Sequence, residues 1–301
     1  MQMIDFKNGV PQMSRLVYGV WRLGDDNDTS TAHIVRKIEA CLDQGMTTFD
    51  HADIYGGYSC EALFGNAIKG RADLKAKMQT ITKCDIMLVG DFAPHRRVKY
   101  YDTSAAHINQ SVENSLTRIG VDVIDLLLIH RPDPFMDHRE TGAALDALVK
   151  SGKVRGIGVS NFMPWDIDLL QSAMKNPILT NQIEINVLEH KSFTNGQIAK
   201  AQAANMPLMA WSALAGGRLF DASDVAAARV MPRLKELASE HNVAVDAVAI
   251  AWLLAHPANI MPIIGTNNID RIASASDAFK VKIDRETWFE LWSLAQGHEV
   301  P

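Results

Sequence analysis

The chain has 301 residues, 47% of them hydrophobic and 22% charged, and its 30 basic and 35 acidic side chains leave a net charge of −5. That composition supports a large folded core and excludes disordered, collagen-like and fibrous classes. A mildly acidic chain offers no basic field for a phosphate backbone, so no nucleic-acid partner is expected.

The longest apolar run, Val243 to Ala255, contains Asp246 and falls short of the roughly 20 residues that span a bilayer, so no membrane partner is expected either. The N-terminus, Met1 to Lys7, lacks a basic region followed by an apolar core. Cys41, Cys60 and Cys84 are odd in number and show no CxxC spacing. Together these features read as a reduced, cytoplasmic protein with neither a disulfide framework nor a metal site.

In chain order, Leu16-Val17-Tyr18 reads as a strand, and Ser30 to Asp43 as a helix capped by Ser30 or Thr31 and stopped by Gly45. Thr47-Thr48-Phe49 and Thr80-Ile81-Thr82 read as strands, followed by a polar stretch from Asp85 to Tyr101 and a helix from about Ser104 to Ile119. Leu126 to Ile129 and Gly156 to Val159 flank a helix over about Thr141 to Lys150. Later apolar runs are Thr180 to Ile185, Pro207 to Trp211 and Ile260 to Ile264, with extra helical material at Val225 to Glu240 and Arg285 to Leu294. Continuous rather than alternating hydrophobicity suits strands covered on both faces, as in a parallel sheet. About eight βα units point to a closed barrel, with an open doubly wound sheet as the alternative. No GxGxxG follows an early strand, which favours the barrel.

In such a barrel, chemistry gathers at the carboxyl ends of the strands. Those ends carry Asp50, Lys83, His130, Ser160-Asn161, Gln182 with Glu184, Trp211-Ser212 and Gly265-Thr266. A single polar strand end is ordinary, but seven converging on one rim predict a site. Tyr55 follows Asp50 by five residues. A tyrosine is a poor acid near neutrality, and a nearby ammonium such as Lys83, held charged by Asp50, is expected to lower its pKa. His130 can orient a carbonyl oxygen through a ring N–H. Each alone has a plain reading: an Asp50–Lys83 structural ion pair, a packing aromatic at Tyr55, a capped strand end at His130.

The segment Phe49-Asp50-His51-Ala52-Asp53-Ile54-Tyr55-Gly56, continued by Glu61, Leu63 and Gly65, resembles the aldo-keto reductase signature. Thr82-Lys83, Leu128-Ile129-His130-Arg131-Pro132-Asp133 and Gly156-Ile157-Gly158-Val159-Ser160-Asn161-Phe162 resemble further motifs of that family, in its order. So do Gln182 with Glu184 and Asn186, Trp211-Ser212-Ala213-Leu214 with Gly216-Gly217, and Gly265-Thr266 through Arg271. The loop Arg97-Val98-Lys99-Tyr100-Tyr101-Asp102 resembles one bacterial branch of the family.

The resemblance implies an α/β fold, a (β/α)8 TIM barrel with an N-terminal hairpin and extra helices, formed as one domain over residues 1–301. It implies reduction of a small-molecule aldehyde or ketone by NADPH, in a monomer or weak oligomer. Tyr55 would be the general acid, supported by Lys83, Asp50 and His130. Gly19, Val20 and Trp21, with Asp50, would border the cofactor. Ser160, Asn161 and Gln182 would hold the carboxamide, and Trp211 would stack on the nicotinamide. Ser212, Ala213, Leu214, Gly217 and Arg218 would meet the pyrophosphate, and Gly265, Thr266, Asn267 and Arg271 the adenosine end, with Arg271 on the 2′-phosphate of NADP. Departures are Val20 in place of a common threonine, Gly265 in place of lysine, and Ser274 and Ala275 in place of glutamate and asparagine. His95-Arg96-Arg97-Lys99 reads either as an anion site or as a solvated loop face. His51 and Asp53 lack a third ligand for a metal. Cys84 is expected to point away from the barrel centre. Two competing functions are a Schiff-base aldolase using Lys83 and a non-catalytic sensor of nicotinamide cofactor.

Overall fold

The computed structural model describes residues 1–300. Eight parallel strands close into a barrel: β1 (Val17–Gly19), β2 (Thr48–Asp50), β3 (Gln79–Cys84), β4 (Ile124–Ile129), β5 (Val154–Ser160), β6 (Ile178–Glu184), β7 (Leu208–Trp211) and β8 (Met261–Ile264). Neighbours in sequence are neighbours in the barrel, and β8 pairs with β1 to close it. Each short apolar run read as a strand contains one of these strands, for the reason expected: both faces are covered; the longest run, Val243 to Ala255, instead forms a buried helix, Val245–Leu254. Leu126, Leu128, Met209, Met261 and Ile263 fill the interior, while Leu127, Ile129, Ile157 and Val159 pack outward against helices. Cys84 belongs to that outward layer.

The interior is closed at the amino end by an antiparallel pair, Met3–Ile4 with Met13–Ser14, whose Phe6, Val10 and Met13 join the barrel core. Interior packing is tight enough to dictate residue size. A Cβ on Gly158 would lie 2.4 Å from Leu128 Cδ2 and 2.6 Å from Thr180 Cγ2, so only glycine fits that position on β5. Truncating the fully buried Leu128 to alanine is expected to cost about 2–5 kcal/mol.

The helix Thr31–Asp43 is capped by Ser30, whose side chain accepts from the His33 amide, and Ala105–Ile119 by Ser104 in the same way. The helix expected from Thr141 begins earlier, at His138. Asp137 caps it by accepting from the Arg139 and Glu140 amides, a start that apolar periodicity alone does not reveal. The polar stretch after β3 forms a two-stranded antiparallel ribbon, Ile86–Met87 with Tyr100–Tyr101, standing on the carboxyl rim. Extra helices cover Val225–His241 and Arg285–Gln296. No single helix among the described residues is long and apolar enough to cross a membrane. The most apolar one, Val245–Leu254, is packed into the core.

Candidate active site

The carboxyl rim opens into a cleft of about 610 Å³ that runs from Tyr55 and His130 at one end to Arg271 at the other. At the first end the geometry is built around Lys83. Its ammonium is fully buried and spends all three N–H donors: on Asp50 Oδ2 at 2.8 Å, on the His51 carbonyl at 2.7 Å and on the Tyr55 hydroxyl oxygen at 2.9 Å. Asp50 is held in turn by Gln182 Nε2, 2.9 Å from its Oδ1. Because the Tyr55 oxygen accepts from Lys83, its own proton is left for the cleft. His130 stands edge-on to the Tyr55 ring, with centroids 5.9 Å apart.

Burial works to lower the Lys83 pKa, but Asp50 and Tyr55 outweigh it and the net direction is up. The amine is therefore a protonated ammonium with every donor engaged, which is the wrong state for attack on a carbonyl and weighs against the aldolase. Burial also pushes the Tyr55 hydroxyl up from its ordinary value; Lys83 pulls it down and Asp50 pushes it up. The net direction is opposite to the lowering expected from the sequence. Lys83 does act in the expected sense, but desolvation of the phenolate is larger and Asp50 offsets part of the ammonium's charge. Burial, then the charges of Lys83, Arg131 and Lys99, hold His130 well below the usual imidazole range, so its ring is neutral. His51, behind the site, is held at about 3 by burial and Lys83 and packs edge-on against Phe64. Asp53 accepts from Ser111 at 2.6 Å. His51 and Asp53 thus engage different neighbours and do not converge.

Beside this group, Ser160 donates to the Gln182 carbonyl at 2.9 Å and Asn161 Nδ2 donates to Ser160 Oγ at 2.8 Å. Trp211 Nε1 donates to Asn161 Oδ1 at 3.0 Å, which fixes the indole as a platform along the cleft. Asn161 and Ser212 hold left-handed backbone, with φ of 61° and 53°. Such conformations persist where the surroundings dictate them.

Further along, the segment Ala215–Phe220 bends at Gly216 and Gly217. Gly217 has φ of +105°, which disfavours side chains, and the space where a Cβ would stand is open. Its backbone can therefore approach a phosphate closely. Arg22 ties this segment to the opposite wall by donating to the Gly216 carbonyl at 2.9 Å, while Asn267 Nδ2 donates to the Arg22 carbonyl at 2.7 Å. At the far end, Arg271 Nε donates to Asp246 Oδ2 at 3.1 Å and the guanidinium lies 5.1 Å from the Phe220 ring centre.

Of the residues assigned from sequence, Gly19, Trp21, Asp50, Tyr55, His130, Ser160, Asn161, Gln182, Trp211, Ser212, Ala213, Leu214, Gly217, Gly265, Thr266, Asn267 and Arg271 line this one cleft. Lys83 sits directly beneath it. The side chain of Val20 is buried in the core behind the cleft, and that of Arg218 is turned outward to pair with Asp224 at 2.8 Å; neither side chain lines the cleft, and only their neighbours in the chain do. The basic loop cluster divides. Arg96 braces the fold, donating to Tyr58 OH and the Leu88 carbonyl, whereas Lys99 lines the cleft with Tyr101. Arg22, Asp25, Ile86 and Phe220 are cleft residues that the strand-end pattern missed, because none of them ends a barrel strand. Arg131 also lines the cleft; it stood in a matched motif without being singled out.

These dimensions and donors fit a nicotinamide dinucleotide: an aromatic platform, an open glycine backbone midway and a guanidinium at the far end.

Residues 15–295 match the family described as the Aldo/keto reductase family. The chain is 55% identical to a 6-dehydroglucose reductase of Agrobacterium fabrum over 96% of both chains. It is 42% identical to the oxidoreductase YdhF of Escherichia coli, over 97% of this chain and 96% of that one. Among solved structures, a glycerol dehydrogenase of Gluconobacter oxydans superposes with a TM-score of 0.85 at 25% identity, over 98% of this chain and 95% of that one. With its closed parallel barrel and a family match across nearly its whole length, the chain belongs to the aldo/keto reductase family.

Proposed function

We propose that this protein reduces the aldehyde group of a small polyhydroxylated substrate to the alcohol, with NADPH as reductant and Tyr55 as proton donor. The observation that carries the reading is the Tyr55–Lys83 contact at 2.9 Å, with the phenol proton left for the cleft beside His130. When bound, the reduced nicotinamide supplies the hydride. As the carbonyl carbon accepts it, negative charge grows on the oxygen. Tyr55 donates its proton to that oxygen, and neutral His130 holds the oxygen in place through a ring N–H. The Lys83 ammonium stabilises the phenolate left behind, and Asp50, anchored by Gln182, keeps Lys83 in place. In this reading Ser160 and Asn161 would meet the carboxamide, Trp211 would cover the nicotinamide face, and Arg271 would meet the 2′-phosphate.

The substrate class is supported by the Agrobacterium relative and by the open side of the cleft. There Lys99 and Arg131 have no side-chain acceptor among the described residues, and Asp25 and Tyr101 also line the cleft. Those groups supply donors and acceptors for hydroxyls, which a purely apolar substrate would leave unused. The test is NADPH oxidation with 6-dehydroglucose beside benzaldehyde. Higher kcat/KM for the sugar aldehyde supports the reading, and preference for the aromatic aldehyde refutes the substrate class. NADPH binding without turnover on any carbonyl would favour the sensor.

A further inference from the structure

The far end of the cleft carries an ion pair that the proposed reaction does not use. Arg271 stands on the short helix Ile269–Ala273, and Asp246 in the first turn of Val245–Leu254, on a different βα unit. One carboxylate oxygen of Asp246 accepts from Arg271 Nε at 3.1 Å and the other from the Ala247 amide at 3.0 Å. Phe220 covers the guanidinium, and its two terminal nitrogens have no acceptor among the described residues. On the same wall, Lys37 reaches Asn267 at 3.0 Å but is fully buried and paired with Asp26, and Gly265 contributes no side chain.

NADPH differs from NADH by one phosphate, which is close to a dianion at neutral pH. A lone guanidinium would attract that group through its full charge. A guanidinium with a carboxylate on Nε offers its terminal N–H groups in a fixed orientation but little net charge. Resting on the reading of Arg271 as the 2′-phosphate ligand, we propose that Asp246 sets cofactor selectivity. It aims the free N–H groups of Arg271 into the cleft while offsetting its charge, so the protein binds NADPH with only a modest advantage over NADH. Removing the carboxylate charge while keeping its shape then sharpens the preference for NADPH.

The test is the Kd of each cofactor, read by quenching of tryptophan fluorescence, since Trp21 and Trp211 line the cleft. In the native protein the NADPH advantage is expected to stay within about tenfold. Asp246→Asn keeps an acceptor oxygen and removes the charge; it is expected to tighten NADPH about three- to tenfold, leave NADH unchanged and steepen the salt dependence of NADPH binding. A native advantage above about a hundredfold, or NADPH affinity in Asp246→Asn that is unchanged or weaker, overturns the proposal. Should Asp246→Asn fail to fold by circular dichroism, Asp246→Ser, which suits a helix N-terminus, is held to the same criteria. Arg271→Ala separates the two levels. If it weakens NADPH alone while Asp246→Asn changes nothing, the phosphate reading stands and the selectivity role falls. If it leaves the NADPH-to-NADH ratio untouched, the phosphate reading itself falls.

Discussion

The two ends of the cleft are built on opposite principles. At the Tyr55 end the Lys83 ammonium is buried, its three donors are used, and Asp50 is held in turn by Gln182. At the Arg271 end stands a single half-buried ion pair on helix termini, with Arg271 41% and Asp246 16% exposed. A buried, saturated network fixes geometry and makes each member costly to remove, because its loss strands charges away from water. A pair that water partly reaches is more screened than a buried one, so it tunes affinity by smaller amounts. Chemistry is thus assigned to the rigid end and cofactor choice to the adjustable one.

The sharpest way to break this contrast is at Lys83. Lys83→Met leaves Asp50 and Tyr55 without their shared donor, and turnover is expected to fall about 10²-fold or more. Because Lys83 pulls the Tyr55 pKa down, its removal also moves any alkaline loss of the reduction rate further up in pH. A pH–rate profile checks both. Loss of turnover with an unmoved profile would separate Lys83 from Tyr55.

A second prediction concerns stability behind the rigid end. Burial pushes Asp53 up to about 7, against the bond from Ser111, which pulls it down, and with help from the charge of Glu61. The folded protein then holds a proton that the unfolded chain releases near pH 4. Stability from this group is full below pH 4 and is lost as pH rises toward 7. Asp53→Asn is expected to raise stability at pH 8 by about 2–4 kcal/mol and to change little at pH 4. Urea unfolding at the two pH values checks the sign, and equal effects at both would contradict it.

Smaller effects belong to the adjustable end. Arg271→Ala is expected to weaken NADPH by about 1–2 kcal/mol, less than a fully buried charged bond because the guanidinium is partly exposed and already paired. NADH should be barely affected, as titration of each cofactor would show. Smaller still, Trp211→Phe keeps an aromatic platform but loses the bond to Asn161. It is expected to cost cofactor affinity about 0.5–1.5 kcal/mol, and a full loss of binding would mean that the indole does more than stack.

The same contrast governs what the sequence reveals. The rigid end is made of strand termini, so Asp50, Lys83, His130, Ser160 and Trp211 stand out as polar residues ending apolar runs. The barrel follows from those runs. Asp246 and Phe220 do not stand out, because one begins a helix and the other ends a turn, and each meets Arg271 only through the fold. Val20 looks like a cleft residue beside Gly19 and Trp21, but its side chain, one residue past β1, is turned into the core. Arg218 follows two glycines at the cleft, yet Asp224, six residues on, draws it outward. The net direction of the Tyr55 pKa is also hidden, since it depends on how much water the folded site excludes.

The measurement that bears most directly on the catalytic assignment is single-turnover reduction by Tyr55→Phe with NADPH binding followed in parallel. Phenylalanine keeps the ring against His130 and removes only the proton and its oxygen. NADPH is expected to bind within about threefold of the native protein, while the chemical step slows about 10²-fold or more. Near-native single-turnover rates in Tyr55→Phe would contradict the assignment of Tyr55 as the proton donor.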